Sequence, residues 1–214
     1  CYGIIEDAKK YLKDNVEIHY YERPWLKFLR QIRTGEKPKL SNLLIRDSLV
    51  SQLGSGRIHT HNHHLSHAAA GFQTSKFDNA TVVVIDAIGE FDTITIWDAY
   101  YDSNGKAQYK KLWSKKYPNS IGLFYSAMTA KVGLQPMDEE YILMGMAAYG
   151  TPRYYPHMYK QLLEDSSTLE FKENLHTGVS SDFLKDTDSM DIAASTQLLV
   201  EQLIQNVMNI AVKL

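Results

Sequence analysis

Thr81-Val82-Val83-Val84-Ile85-Asp86 is a near-continuous apolar run ending in an acid. Such a run predicts a strand covered on both faces. Two further strand patterns follow. Thr93-Ile94-Thr95-Ile96-Trp97-Asp98-Ala99-Tyr100 alternates, and Ala107 to Ser114 comes after Asp102-Ser103-Asn104-Gly105, a strong turn signal. Three adjacent strands with short connections predict an antiparallel meander. Helical patterns come next. Ser120 is placed as an N-cap, Ile121, Phe124, Tyr125, Met128 and Val132 share one face, and Gly133 ends the helix. A second helix is expected from about Asp138 to Ala148. A third is expected near residues 156–165, and a final amphipathic one over Asp191–Leu214 with Leu199, Leu203, Val207 and Ile210 on one face.

Upstream, residues 4–14 read as a helix and Val16 to Tyr21 as a strand. Pro24 suits a first helical turn, with Trp25, Phe28, Leu29 and Ile32 at helical spacing. A turn over Gly35–Pro38, a helix over Leu40–Leu53 and a break at Gly54-Ser55-Gly56 follow. A short strand near Arg57–His61 then leads into a helix from about His63 to Phe72. The expected fold class is α/β with a mixed sheet and flanking helices, in two parts: residues 1–75, and residues 76–214 with the meander.

Composition narrows the function. The chain has 214 residues, 44% hydrophobic, enough for a packed core, and its net charge of −2 is spread along the sequence. No polyanion-binding face is implied, so nucleic acid is not an expected partner. No stretch approaches the roughly 20 apolar residues that span a bilayer. The single cysteine, Cys1, cannot form an internal disulfide, which fits a cytoplasmic setting. The chain starts with Cys, and its last helix has no stop signal, so it reads as a piece of a longer protein.

Chemistry concentrates at one place. Five of the eight histidines lie within nine residues, at His59, His61, His63, His64 and His67. His63 and His67 are four apart, so a helix sets both rings on one face within reach of a single ion. His64 points about 100° away. The residue after His63 is His64, so the Glu of the His-Glu metalloprotease pattern is missing. His59 and His61 fall on a short strand and need not face the same site. Asp86, at a strand end before a glycine turn, stands where α/β proteins bind ligands. Imidazoles and a carboxylate suit a borderline divalent metal, with His63, His67 and Asp86 as candidate ligands; hydrogen-bonded structural histidines and an Asp capping a turn are the alternative. Gly89 would let backbone approach a phosphate, next to Glu90. Thr93 could add a hydroxyl. Ser120 and Gly122 sit at a helix start that could contact an anion, though a plain capped core helix fits equally well.

Five ordered blocks carry a family resemblance. They are His63–Ala70 (HHLSHAAA), Val84–Glu90 (VIDAIGE), Tyr117–Ser126 (YPNSIGLFYS), Glu140–Gly150 (EYILMGMAAYG) and Asp191–Ser195 (DIAAS), with Tyr21–Phe28 (YERPWLKF) extending the match upstream. Together they resemble the O-carbamoyltransferases of the nodulation and antibiotic-tailoring type. The resemblance implies an incomplete actin-like ATPase fold of two ribonuclease-H-like halves, related to the proteins that make threonylcarbamoyl-adenosine in transfer RNA. It implies a metal, iron first and zinc or manganese as alternatives, held by His63, His67 and Asp86. It also implies ATP and a carbamoyl-adenylate made from carbamoyl phosphate, with transfer of the carbamoyl group to a hydroxyl of a small-molecule acceptor. The nucleotide and substrate would meet Gly89, Glu90, Thr93, Ser120 and Gly122. Relatives supply a further metal-binding aspartate and nucleotide loops from sequence beyond residue 214, and many have Gly where Ala87 stands. Two other classes stay open: a non-catalytic metal- or nucleotide-binding module, and a hydrolase using the histidine pair. No residue is assigned as catalytic base.

Overall fold

The computed structural model describes residues 10, 17–38, 40, 43–53 and 57–214. Most of the helix expected over residues 4–14 and the break at residues 54–56 lie outside the described residues. The chain divides into two compact units, Cys1–Ala70 and Gly71–Leu214.

In the first unit, β1 (Glu17–Tyr20) pairs in parallel with β2 (Arg57–Thr60), with His19 opposite His59 and Tyr20 opposite Thr60. The His61 N–H extends the ladder to the Tyr20 carbonyl at 3.0 Å. Helix α1 (Pro24–Thr34) starts on Pro24, whose missing N–H costs nothing in a first turn, and ends on Gly35 at φ +75°. Its expected apolar face is not a core face. Trp25, Leu29 and Ile32 are about half exposed, while Gln31 is buried. Burial on α1 therefore follows tertiary context rather than periodicity. Glu22, also buried, accepts hydrogen bonds from Lys27 Nζ at 2.7 Å and from the Tyr20 hydroxyl. Helix α2 spans Ile45–Leu53, shorter than the Leu40 start expected. Helix α3 runs His63–Gln73. Asn62 caps it, its Oδ1 accepting the Leu65 N–H at 2.9 Å.

The second unit carries the meander: β3 (Asn79–Gly89), β4 (Asp92–Tyr101) and β5 (Ala107–Lys116), antiparallel in that order. The turn between β4 and β5 forms as its sequence requires. Asp102 Oδ1 accepts the N–H groups of Asn104 and Lys106, and Gly105 takes φ +71°. One expectation is corrected. β4, not the apolar β3, is the strand buried on both faces, because β4 is central and β3 outer in this sheet. Only Val84 is buried within the run 81–86. β4 tolerates burial of polar side chains because each is bonded: Thr93 to backbone carbonyls, and Thr95 to the Trp97 indole N–H at 2.7 Å.

Helices cover one face of the meander. They are α4 (Ile121–Lys131), α5 (Glu140–Ala147), α6 (Tyr155–Leu162) and the 25-residue α7 (Ser189–Lys213). The core joins Ile94 and Ile96 of β4 to Phe124 and Met128 of α4, Leu143 of α5, Met158 of α6, and Leu199, Leu203 and Val207 of α7. Helix α6 stops earlier than expected because the chain turns into β6 (Leu163–Asp165), which pairs with β7 (Glu170–Phe171). Neither short strand carries enough alternation to be legible in sequence.

The acids before α5 hold the preceding loop. Glu139 Oε2 accepts the Gln135 N–H at 2.7 Å. Burial alone would raise the Glu140 carboxyl, but hydrogen bonds from the Ser126 hydroxyl (2.6 Å) and the Met137 N–H (2.7 Å) outweigh it and hold it below the usual range.

Two of the sequence blocks meet at the start of α7. Asp188 caps the helix, accepting the N–H groups of Met190 and Asp191. Asp191 Oδ1 accepts the Thr151 N–H at 2.7 Å, and its Oδ2 lies 3.1 Å from Arg153 Nε. Ser195 Oγ accepts the Tyr154 N–H at 3.0 Å. The segment after α5 is thus laid against α7, so closely that Gly150 has no room for a Cβ.

Among the described residues, no helix is long and apolar enough to cross a membrane.

Candidate metal and nucleotide site

Within the first unit, α3 does what its spacing requires. His63 Nε2 and His67 Nε2 face each other at 3.0 Å. The ring planes cross at 72°, and the ring centroids are 4.7 Å apart. Two imidazole nitrogens this close on one helix face can share one ion of the implied class, and as they stand they also satisfy a hydrogen bond between the rings. His63 is half-buried and His67 exposed.

Neighbours fix the pair. Asn62 starts the helix in register. The Ser66 hydroxyl reaches the Tyr21 carbonyl at 3.0 Å, and the Tyr21 ring meets His63 edge-on at 5.5 Å. Asn62 was not singled out as a cap in the sequence, although its place directly before the periodic run is the signal that could have found it. The contact of Tyr21 with His63, across 42 residues, has no local signal. His64 is fully buried.

In the second unit, Asp86 sits at an irregularity. The β3–β4 ladder is regular up to Ile85 opposite Ile94, then breaks, and resumes at Gly89 opposite Asp92. Asp86, Ala87 and Ile88 thus lie in a bulge, a device that bends a strand and re-aims its side chains. Asp86 Oδ1 accepts the Ala87 N–H at 2.7 Å.

The start of α4 pins this bulge. Ser120 Oγ donates to the Ala87 carbonyl at 2.7 Å and accepts the Leu123 N–H at 3.1 Å. The expected cap is therefore present, and its hydroxyl is engaged on both sides. Gly122 lies against Ala87: a Cβ there would stand 2.8 Å from Ala87 Cα. Gly89 is buried, and Glu90, 4% exposed, turns the chain at φ +61°. Thr93 is fully buried, its hydroxyl donating to the carbonyls of Asn119 (2.5 Å) and Lys115 (3.2 Å). Thr93 and Ser120 therefore act as braces of the bulge and its flanking loop. Gly122→Ala is expected to cost about 1–3 kcal/mol, because the added Cβ meets the Ala87 backbone, which no side-chain rotation can move away. Denaturant unfolding of the variant measures it.

Over residues 7–213 the chain matches the carbamoyltransferase N-terminus family. It is 34% identical over 163 residues to an uncharacterized protein of Synechocystis, sll1178, covering 66% of this chain and 26% of that protein. It is 30% identical over 131 residues to the nodulation protein NolNO of Sinorhizobium fredii, covering 59% of this chain and 18% of the relative. With the nodulation protein NolO of Bradyrhizobium diazoefficiens it shares 36% identity over 103 residues, covering 48% and 18%. The chain thus spans about a quarter or less of these relatives. With the match extending over nearly its whole length, this chain belongs to the carbamoyltransferase N-terminus family.

Proposed function

We propose that the protein is a metal-dependent O-carbamoyltransferase, and that this chain supplies the metal ligands and part of the nucleotide site. The carrying observation is the approach of His63 Nε2 and His67 Nε2 to 3.0 Å on one face of α3. Family membership supports carbamoyl transfer. His63, His67 and Asp86 each offer one ligand atom. Two imidazoles and a carboxylate leave positions open for substrate and suit iron, zinc or manganese. When bound, the ion supplies positive charge against the phosphate oxygens of a leaving nucleotide.

The chain's own residues do the rest by position. The bulge holds the Asp86 carboxylate at the end of a strand. Ser120 ties the bulge to the start of α4, and Gly122 allows their close approach. Gly89 and Glu90 form the turn that would meet the nucleotide, with Thr93 bracing it from behind. In the proposed reaction, an acceptor hydroxyl attacks the carbamoyl carbon of carbamoyl-adenylate. The new C–O bond replaces the bond to phosphate, AMP departs, and the hydroxyl proton is released. The adenylate itself forms from carbamoyl phosphate, water and ATP: water releases phosphate from carbamoyl phosphate, and the carbamate oxygen then attacks the α-phosphate of ATP, with pyrophosphate leaving. The fold proposed for the whole is the actin-like ATPase fold, and the mixed α/β elements of this chain are consistent with it.

The test follows labelled carbamoyl phosphate into acceptor alcohols with ATP and metal present. Turnover is expected to require ATP and to fall at least about 100-fold in Asp86→Ala. Turnover without ATP would replace this reading with the hydrolase. Metal and ATP binding without turnover would replace it with the binding module.

A further inference from the structure

β3 and β5 are the two outer strands of the meander, and their sequences treat that position differently. An outer strand offers a row of backbone N–H and C=O groups to any other strand. Proteins blunt such an edge with charge, lysine above all, or with proline. β5 does so, carrying Lys110, Lys111, Lys115 and Lys116. β3 does not. From Asn79 to Ile85 it has no charged residue and no proline, and Val82-Val83-Val84-Ile85 is unbroken. A bulge could also blunt the edge, but the bulge of β3 comes only after Ile85, and the ladder up to that point is regular.

Burial points the same way. Helices α4 and α7 both lie against β3, and Val83 and Ile85 pack on the core. Even so, these two side chains are only partly buried, while Ile96 and Ile94, opposite them on β4, are 0% and 1% exposed. The shortfall is lateral: β4 has a strand on each side, and among the described residues none pairs with the outer edge of β3. A near-continuous apolar run belongs to a strand with neighbours all round.

Length argues for what the neighbour is. The chain covers 26%, 18% and 18% of the three relatives, so most of each relative lies outside the matched region. A strand tethered in the same protein meets the edge at a high effective concentration and outcompetes a second copy.

We infer that the outer edge of β3 is an interaction surface for a further apolar β-strand, supplied by sequence of a longer protein outside these 214 residues. The inference rests on the sheet alone and is independent of carbamoyl transfer.

Amide hydrogen exchange, resolved to single residues in the full-length protein, tests it. With β4 on one side only, alternate amides of Ala80–Ile85 point away from the ladder and exchange fast. With the edge filled, successive amides over this stretch are all slow. The outward ones should exchange at least about 100-fold more slowly than the outward amides of Gln108–Lys111 in β5. Protection should be equal at low and high protein concentration. Fast alternate amides in β3, matching β5, would overturn the inference. Protection lost on dilution would also overturn it, by assigning the edge to a second copy, as would a coding sequence no longer than this chain.

Discussion

Replacing both His63 and His67 with alanine is expected to lower bound metal by one equivalent per chain. The two nitrogens are 3.0 Å apart on one face of α3. Removing both leaves Asp86 alone among the ligands named here, and a single carboxylate does not hold a borderline ion tightly. The double variant should still fold. His67 is exposed and His63 half-buried, and alanine is the best helix former for an interior turn. Elemental analysis of wild type and variant, purified in parallel, reads the result. An unchanged metal content in a folded variant would remove the centre from the proposal. His64→Ala is a control of opposite character: that ring is fully buried, so its loss should act on stability before metal.

Gly150→Ala is expected to be the most destabilising single methyl this chain can receive among the glycines described. The added Cβ would stand 1.9 Å from the Met190 carbonyl oxygen and 2.3 Å from its carbon. Both are backbone atoms in the first turn of α7, so no side-chain rotation relieves the contact. The segment cannot simply lift away either. Thr151 and Tyr154 give their N–H groups to Asp191 and Ser195, and separation would leave these partly buried groups unmatched. A loss of about 3 kcal/mol or more follows, at the upper end for overpacking. Chemical denaturation measures it, and a loss under about 1 kcal/mol would show that this contact relaxes easily. Gly145→Ala, with nothing within 4 Å of its added Cβ, is the matched control on the same stretch of chain.

These glycines show what a local pattern can carry. Gly133 and Gly105 were legible because each ends a helix or closes a turn, and both take positive φ as such positions require. Gly122 was placed at a helix start, but the reason it must be glycine is Ala87, 35 residues away. Gly150 follows the expected end of a helix at Ala148, yet its tightest contact is with Met190 in another helix.

By itself, the sequence determined the meander, the α4 cap at Ser120, the shared face of Leu199, Leu203 and Val207, and the pairing of His63 with His67. All of these are local: periods of two and 3.6, turn chemistry, and one residue before a helix. Tertiary structure alone decided which strand is central, and so why Thr93 and Thr95 are buried while most of Val82–Ile85 is only half covered. It also decided that Asp86 leaves the ladder in a bulge and that Tyr21 lies against His63. Placing His19 beside His59 took strand pairing across some 40 residues. A strand's own pattern says which residues share a face, but its neighbours decide whether that face is covered, because burial depends on surface supplied by distant parts of the chain.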